Sequence, residues 1–186
     1  MSKIALLLSC LLLGACKNEV EVNQINTVDE NMQCEGSEST CEFLINEAVA
    51  KLPTELQDKI VDTSDTLIIY TGANEEKLKS RGVSGITQYA YQKPTRIHSI
   101  AKSHVLFHEL GHAYDITYLH NGNELLSHSK EWIDAYSTEF ISRYGQTSEE
   151  EFYAETFSMY FKNPKSLQKL CPKAYELHEK EFKDMK

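Results

Sequence analysis

The chain has 186 residues, enough for one domain with its own core, and a composition of 41% hydrophobic and 25% charged residues excludes a wholly disordered or low-complexity polypeptide. With 19 Lys and Arg against 28 Asp and Glu, the formal charge is −9. That balance excludes the basic footprint of a nucleic-acid binder and a polybasic membrane-contacting surface.

The first segment reads as an address. Lys3 is followed by an apolar run from Ile4 to Leu13, too short to span a bilayer, and then by Leu13-Gly14-Ala15-Cys16. Small residues before a cysteine resemble the bacterial lipoprotein box. The resemblance implies a signal peptide over 1–15, cleavage before Cys16 and lipidation of its thiol. Residues 16–40 are polar and acidic, and they are expected to be a flexible tether, with Val20–Ile25 as the alternative of a short strand. The catalytic-sized domain is expected over 41–186. This reading puts the protein outside the cytoplasm, held at a membrane by its lipid, where disulfides persist. Cys34, Cys41 and Cys171 then allow one bridge and one spare thiol, in any of three pairings.

Phe43, Leu44, Ala48, Leu52 and Leu56 recur at helical spacing, with a break expected at Pro53. Thr66–Tyr70 predicts a buried strand, and Glu75–Ser80 a short helix capped by Asn74 and ended at Gly82. Ser84–Tyr91 and Thr95–Ile100 predict two further strands around Pro94. A long helix follows from about Lys102 to His120, then an amphipathic helix over Glu131–Tyr144 stopped by Gly145. Thr147 or Ser148 caps a helix running to about Lys162, and Leu167–Phe182 forms the last helical stretch, interrupted at Pro172. Strands come first and helices follow, so the expected class is α+β with a small mixed sheet and a helical C-terminal half. Trp132, Phe140 and Ile141 are expected in the core, while Phe152, Phe157 and Tyr160 pack the helix that carries them. His98, His104, His120 and His128 are expected to be surface or packing residues.

The long helix contains His108-Glu109-Leu110-Gly111-His112. Two histidines four apart lie on one helical face, so both imidazoles reach one metal ion. Zinc, one per chain, suits neutral nitrogen ligands with a vacant corner. Glu109 is placed to take a proton from the attacking water and return it to the leaving amine. Gly111 is costly inside a helix and points to close backbone packing. A third histidine at the HExxHxxGxxH spacing is absent, because position 118 is Tyr118. The remaining ligand is therefore expected to be a carboxylate from the later helix, where Glu151 and Glu155 are four apart and share a face. If Glu151 binds the metal, Glu155 lies one turn on and accepts the free N–H of His108. Asp115, one turn past His112, either orients a ligand or the helix, or is an exposed charge.

HELGHAYD followed by RYGQTSEEEFYAETF resembles the gluzincin peptidases of the anthrax lethal factor catalytic domain and the Pro-Pro endopeptidases. The resemblance spans roughly Thr66 to Phe182, and only the two motif segments are specific. It implies a zincin-like metallopeptidase domain in which the third ligand is Glu151, seven residues after a catalytic Tyr144. It also implies that Tyr144 donates its phenol to the oxyanion, that Glu155 stands behind the ligands, and that the substrate is a protein or peptide, with a preference for proline-flanked bonds allowed. A substrate strand is expected along the sheet edge at Thr95–Ile100, and the 89–93 loop is expected to shape the cleft. Two rival readings stand: a zinc-binding surface lipoprotein without hydrolytic activity, and an adhesion lipoprotein without metal. Intact Glu109 and Tyr144 count against the first. The sequence sets no oligomeric state.

Overall fold

In the computed structural model, residues 33–35, 38–61, 64–70, 73–90, 93–120 and 122–185 are described. The expectations for the signal peptide, for Cys16, for a Val20–Ile25 strand and for the 89–93 side chains fall outside the described residues. The first described elements precede Cys41. Gln33–Glu35 form strand β1, and helix α1 opens at Glu38 and runs to Glu47. A 3-10 turn at Val49–Lys51 and helix α2 at Thr54–Val61 follow. Pro53 separates the two, as its missing N–H and fixed φ require.

Strand β2 (Ser64–Tyr70), helix α3 (Ala73–Lys79), strand β3 (Gly85–Ala90) and strand β4 (Lys93–Ile100) complete the first half. Asn74 lies inside α3 instead of capping it. Gly82 turns the chain after α3 with φ +79°, a backbone that disfavours any Cβ. The sheet is mixed, in the order β1-β2-β4-β3. β1 and β4 flank β2 in parallel, and β3 runs antiparallel to β4. Thr95–Ile100 is thus an inner strand and not the expected edge. The β2-to-β4 connection is a crossover, and β3 hairpins back onto the outer side of β4, so β3 becomes the edge.

The second half is helical: α4 (Ser103–His120), a 3-10 turn at Leu126–His128, α5 (Lys130–Thr138), α6 (Glu149–Lys162), α7 (Pro164–Leu170) and α8 (Pro172–Phe182). The α+β class with a small mixed sheet and a helical C-terminal half is what the sequence predicts. Among the described residues no helix is long and apolar enough to cross a membrane.

α4 is the spine of the core. Leu106, Phe107, Leu110, Ala113 and Tyr114 are buried against Phe152, Tyr153 and Phe157 of α6 and against Leu44, Leu56 and Ile60 of the first helices. Burying an aliphatic or aromatic side chain of this size contributes about 1.5–3 kcal/mol each. Gly111 shows why this contact is close: a Cβ there would stand 3.0 Å from Ala154 Cα and 3.1 Å from Phe157 Cβ.

Two helices and one core residue depart from expectation. Phe43 is 57% exposed, because Leu44 of α1 and Ala48 just after it take the inward side. The helix expected to reach Tyr144 stops at Thr138. There Thr138 Oγ1 donates back to Asp134 O at 2.7 Å, and Glu139 leaves the helix. The Glu139 carboxylate accepts from Lys173 N at 2.7 Å and Ala174 N at 3.1 Å, satisfying the open amides of α8. Phe140, just past that stop, is 61% exposed, whereas Trp132 is buried as expected. Cys171 is buried with a free thiol. Burial first, then the Glu139 charge, pushes that thiol up to about 11. The side chains of Cys34 and Cys41 lie outside the described residues.

Candidate metal centre and active site

Two helices bring the ligand candidates together. On α4, the four-residue spacing stacks His108 and His112 with their Nε2 atoms 3.1 Å apart. On α6, Ser148 is the N-cap and its hydroxyl accepts from Glu151 N at 3.3 Å. Capping fixes Glu151 in the first turn, one residue removed from Phe152, which is fully buried. Glu151 Oε2 lies 3.0 Å from His108 Nε2 and 3.4 Å from His112 Nε2. The oxygen is itself buried, yet no described residue gives it a hydrogen bond. A buried carboxylate oxygen without a hydrogen bond costs free energy, and it faces two ring nitrogens that converge on the same point. Three such donors within one small volume fit a divalent cation with nitrogen and oxygen ligands.

The electrostatics agree with that geometry. Burial opposes ionisation of Glu151, but the two facing imidazoles outweigh it and hold the carboxyl well below the usual range. Burial alone would lower His112, yet the Glu151 carboxylate raises it on balance.

Glu109 sits on the sheet side of α4 and is 4% exposed. Burial pushes its carboxyl up, against the pull of the His112 and His108 charges. Its Oε2 accepts from Thr87 Oγ1 at 2.8 Å, and the same hydroxyl reaches Glu109 O at 3.0 Å. A Cβ on Gly85 would collide with the Glu109 carboxylate. Edge strand β3 therefore cradles Glu109, with a glycine for clearance and a threonine for aim. Sequence reasoning did not single out either residue. The available signal was a glycine at the head of an alternating strand, which marks close approach of another group.

Tyr144 lies in the loop between α5 and α6. Its ring centroid is 5.7 Å from that of His108, and the side chain is 54% exposed. Burial and the Glu151 charge push its phenol well above the ordinary value, so it stays protonated. Glu155 does not bond His108, contrary to expectation. It faces the loop that carries Tyr144, where it accepts a short hydrogen bond from Ser142 Oγ. Ser142 Oγ in turn accepts from Gly145 N at 2.9 Å. Tyr136 OH donates to Gln146 O at 3.1 Å, which ties the far side of the loop to α5. Asp115 is buried and contacts neither ligand by a hydrogen bond. It accepts from Ser127 N at 2.9 Å and Ser127 Oγ at 2.6 Å, and so anchors the 126–128 turn to α4. His128 pairs with Glu150 at 2.6 Å on the surface, and His104 is exposed, both as expected of non-ligand histidines.

The centre opens on both sides. A cavity of about 720 Å³ lies beside His108 and Glu109, and another of about 430 Å³ lies beside His112 and Glu151. Gly85, Glu109 and Tyr144 border both, so the two cavities lie on either side of the same residues.

Residues 76–181, more than half of the chain, match the family model described as "Anthrax toxin lethal factor, N- and C-terminal domain". The chain belongs to this family. The matched span holds the whole ligand cluster, from α4 through the first turn of α6. No curated protein matches the sequence. Among solved structures, the Pro-Pro endopeptidase PPEP-2 from Paenibacillus alvei is similar over 83% of this chain and 98% of its own, with a TM-score of 0.64 and 17% identity. That similarity concerns the fold, which the lethal factor family member described here shares with it.

Proposed function

We propose that the protein is a zinc-dependent metalloendopeptidase. His108, His112 and Glu151 would hold the ion, one per chain. The observation that carries this reading is Glu151 Oε2, buried and without a hydrogen bond, 3.0 and 3.4 Å from the two imidazole nitrogens. Zinc bound there supplies Lewis acidity and brings the pKa of a water down to near 7.

The remaining roles belong to the chain. Glu109, with its carboxyl raised by burial and aimed by Thr87, takes the proton of the attacking water and returns it to the leaving amine. Tyr144 keeps its proton and donates a hydrogen bond to the oxyanion of the scissile carbonyl. Among the described strands β3 is the edge beside the centre, and an extended substrate would pair along it, in place of the inner strand expected from sequence. A non-hydrolytic binding module accounts for the ligand cluster but leaves the cradle of Gly85 and Thr87 around Glu109 without a purpose. The preference for proline-flanked bonds rests on the fold likeness to a Pro-Pro endopeptidase, and the anchored, extracytoplasmic location rests on the Leu13–Cys16 box.

Glu109→Ala is expected to keep zinc while cleavage of peptides falls by about a thousandfold, within the range of general acid–base contributions. Unchanged cleavage would refute the assigned chemistry. Proline-containing and proline-free peptides assayed side by side decide the preference.

A further inference from the structure

The larger cavity changes character along its length. Next to the ligands it is bordered by Glu109 and by Glu155, whose carboxylate is engaged by Ser142. Val83, Val105 and Met159 add apolar surface to its wall. Its far end carries the side chains of His104, Lys162 and Asn163. No described carboxylate acts on Lys162; besides burial, the charge it feels is that of Lys51. His104 in turn feels Lys162 and Lys102. Lys51 pairs with Glu47 at 2.8 Å, and of the two lysines only Lys162 borders the cavity. In a chain of net charge −9, a cation bordering the cavity at the C-terminal end of α6 is a local reversal of sign.

The spacing is set by helix geometry. Lys162 and Glu151 lie on the same helix, so about 16 Å separates them along the axis at 1.5 Å per residue. Helical side chains lean toward the N-terminus, which brings the ammonium back toward the centre. An extended peptide covers about 3.3 Å per residue. We propose that this end of the cavity reads a carboxylate of the peptide substrate three or four residues from the bond that is cut, carried by an Asp or Glu side chain or by a free C terminus. The inference rests on the peptidase reading and adds a substrate class to it: an apolar stretch followed by an acidic group.

The test is a peptide set with one apolar core sequence, carrying Glu, Gln or Lys at each of five positions on either side of the bond, with free and amidated C termini. Both kcat/KM for the active protein and Kd for the Glu109→Gln variant are measured. Glu should exceed Gln by about fivefold at a single position on one side, and added salt should shrink the ratio. In Lys162→Ala the Glu/Gln ratio should fall to about one, and in Lys162→Glu the Lys peptide should be preferred. Comparing free with amidated peptides separates a side-chain carboxylate from a terminal one. Equal values for Glu and Gln at every position, or a preference that survives Lys162→Ala, would overturn the inference. Cleavage without an acidic preference leaves the peptidase reading intact, whereas peptides that bind with the preference but are not cleaved count against that reading alone.

Discussion

Three histidines about α6, a pair and a single one, differ in what faces them. His108 and His112 face a carboxylate oxygen that makes no hydrogen bond. His178 of α8 is fully buried and faces aromatic rings: Trp132 at 4.7 Å, Tyr153 at 5.3 Å and Phe157 at 6.1 Å between centroids. Among the described residues its ring has one hydrogen-bond contact, Thr156 Oγ1 at 3.1 Å, and its Nδ1 has none. The opposite group decides the chemistry. A carboxylate turns imidazoles into one corner of a cation site, while an apolar cage keeps a histidine neutral and makes it packing.

The comparison can be broken most sharply at Gly85. Gly85→Ala is expected to push Glu109 aside and cut cleavage by about a hundredfold, with zinc retained, because the new methyl collides with the general base and not with a ligand. A variant with normal cleavage would show that β3 does not aim Glu109. A smaller effect is expected at Ser142. Ser142→Ala removes the link between Glu155 and Gly145 and should lower kcat by about tenfold, with KM and zinc content nearly unchanged, since only Tyr144 loses its hold. An unaltered kcat would mean that the loop holds Tyr144 by other contacts.

The smallest effect on activity, and a distinct one on stability, belongs to His178. Burial pulls its pKa from 6.5 down to about 3. The unfolded chain therefore binds a proton that the folded chain does not take up between those two values. Stability falls as pH drops from about 6.5 toward 3, by an amount on the order of a few kcal/mol. His178→Phe should flatten denaturant-midpoint curves in that window while leaving neutral-pH cleavage close to the parent. A variant with the same acid slope would show that other groups set it.

Much of this was legible in the sequence because it is periodic. The α4 motif, the Ser148 cap and the Pro53 and Pro172 breaks are local signals, and each appears where spacing puts it. Glu151 followed from family likeness as well as spacing, since Glu155 shares its helical face. What spacing could not give was tertiary. β3 became the edge because a crossover put β4 inside. α5 ended early because Glu139 left it to satisfy the amides of α8. Glu155 turned to Ser142, and Asp115 to Ser127, because loops brought hydroxyls within reach. His178 carried no signal at all, as nothing in its neighbourhood along the chain reports the ring cage around it.

Zinc titration of the metal-stripped full chain, beside Glu151→Ala, tests the central claim most directly. The account predicts one equivalent bound tightly by the parent and at least a hundredfold weaker binding by the variant, roughly the loss expected for removing one ligand of a preformed site. Less than about half an equivalent in the parent, or equal affinity in the two, would contradict it.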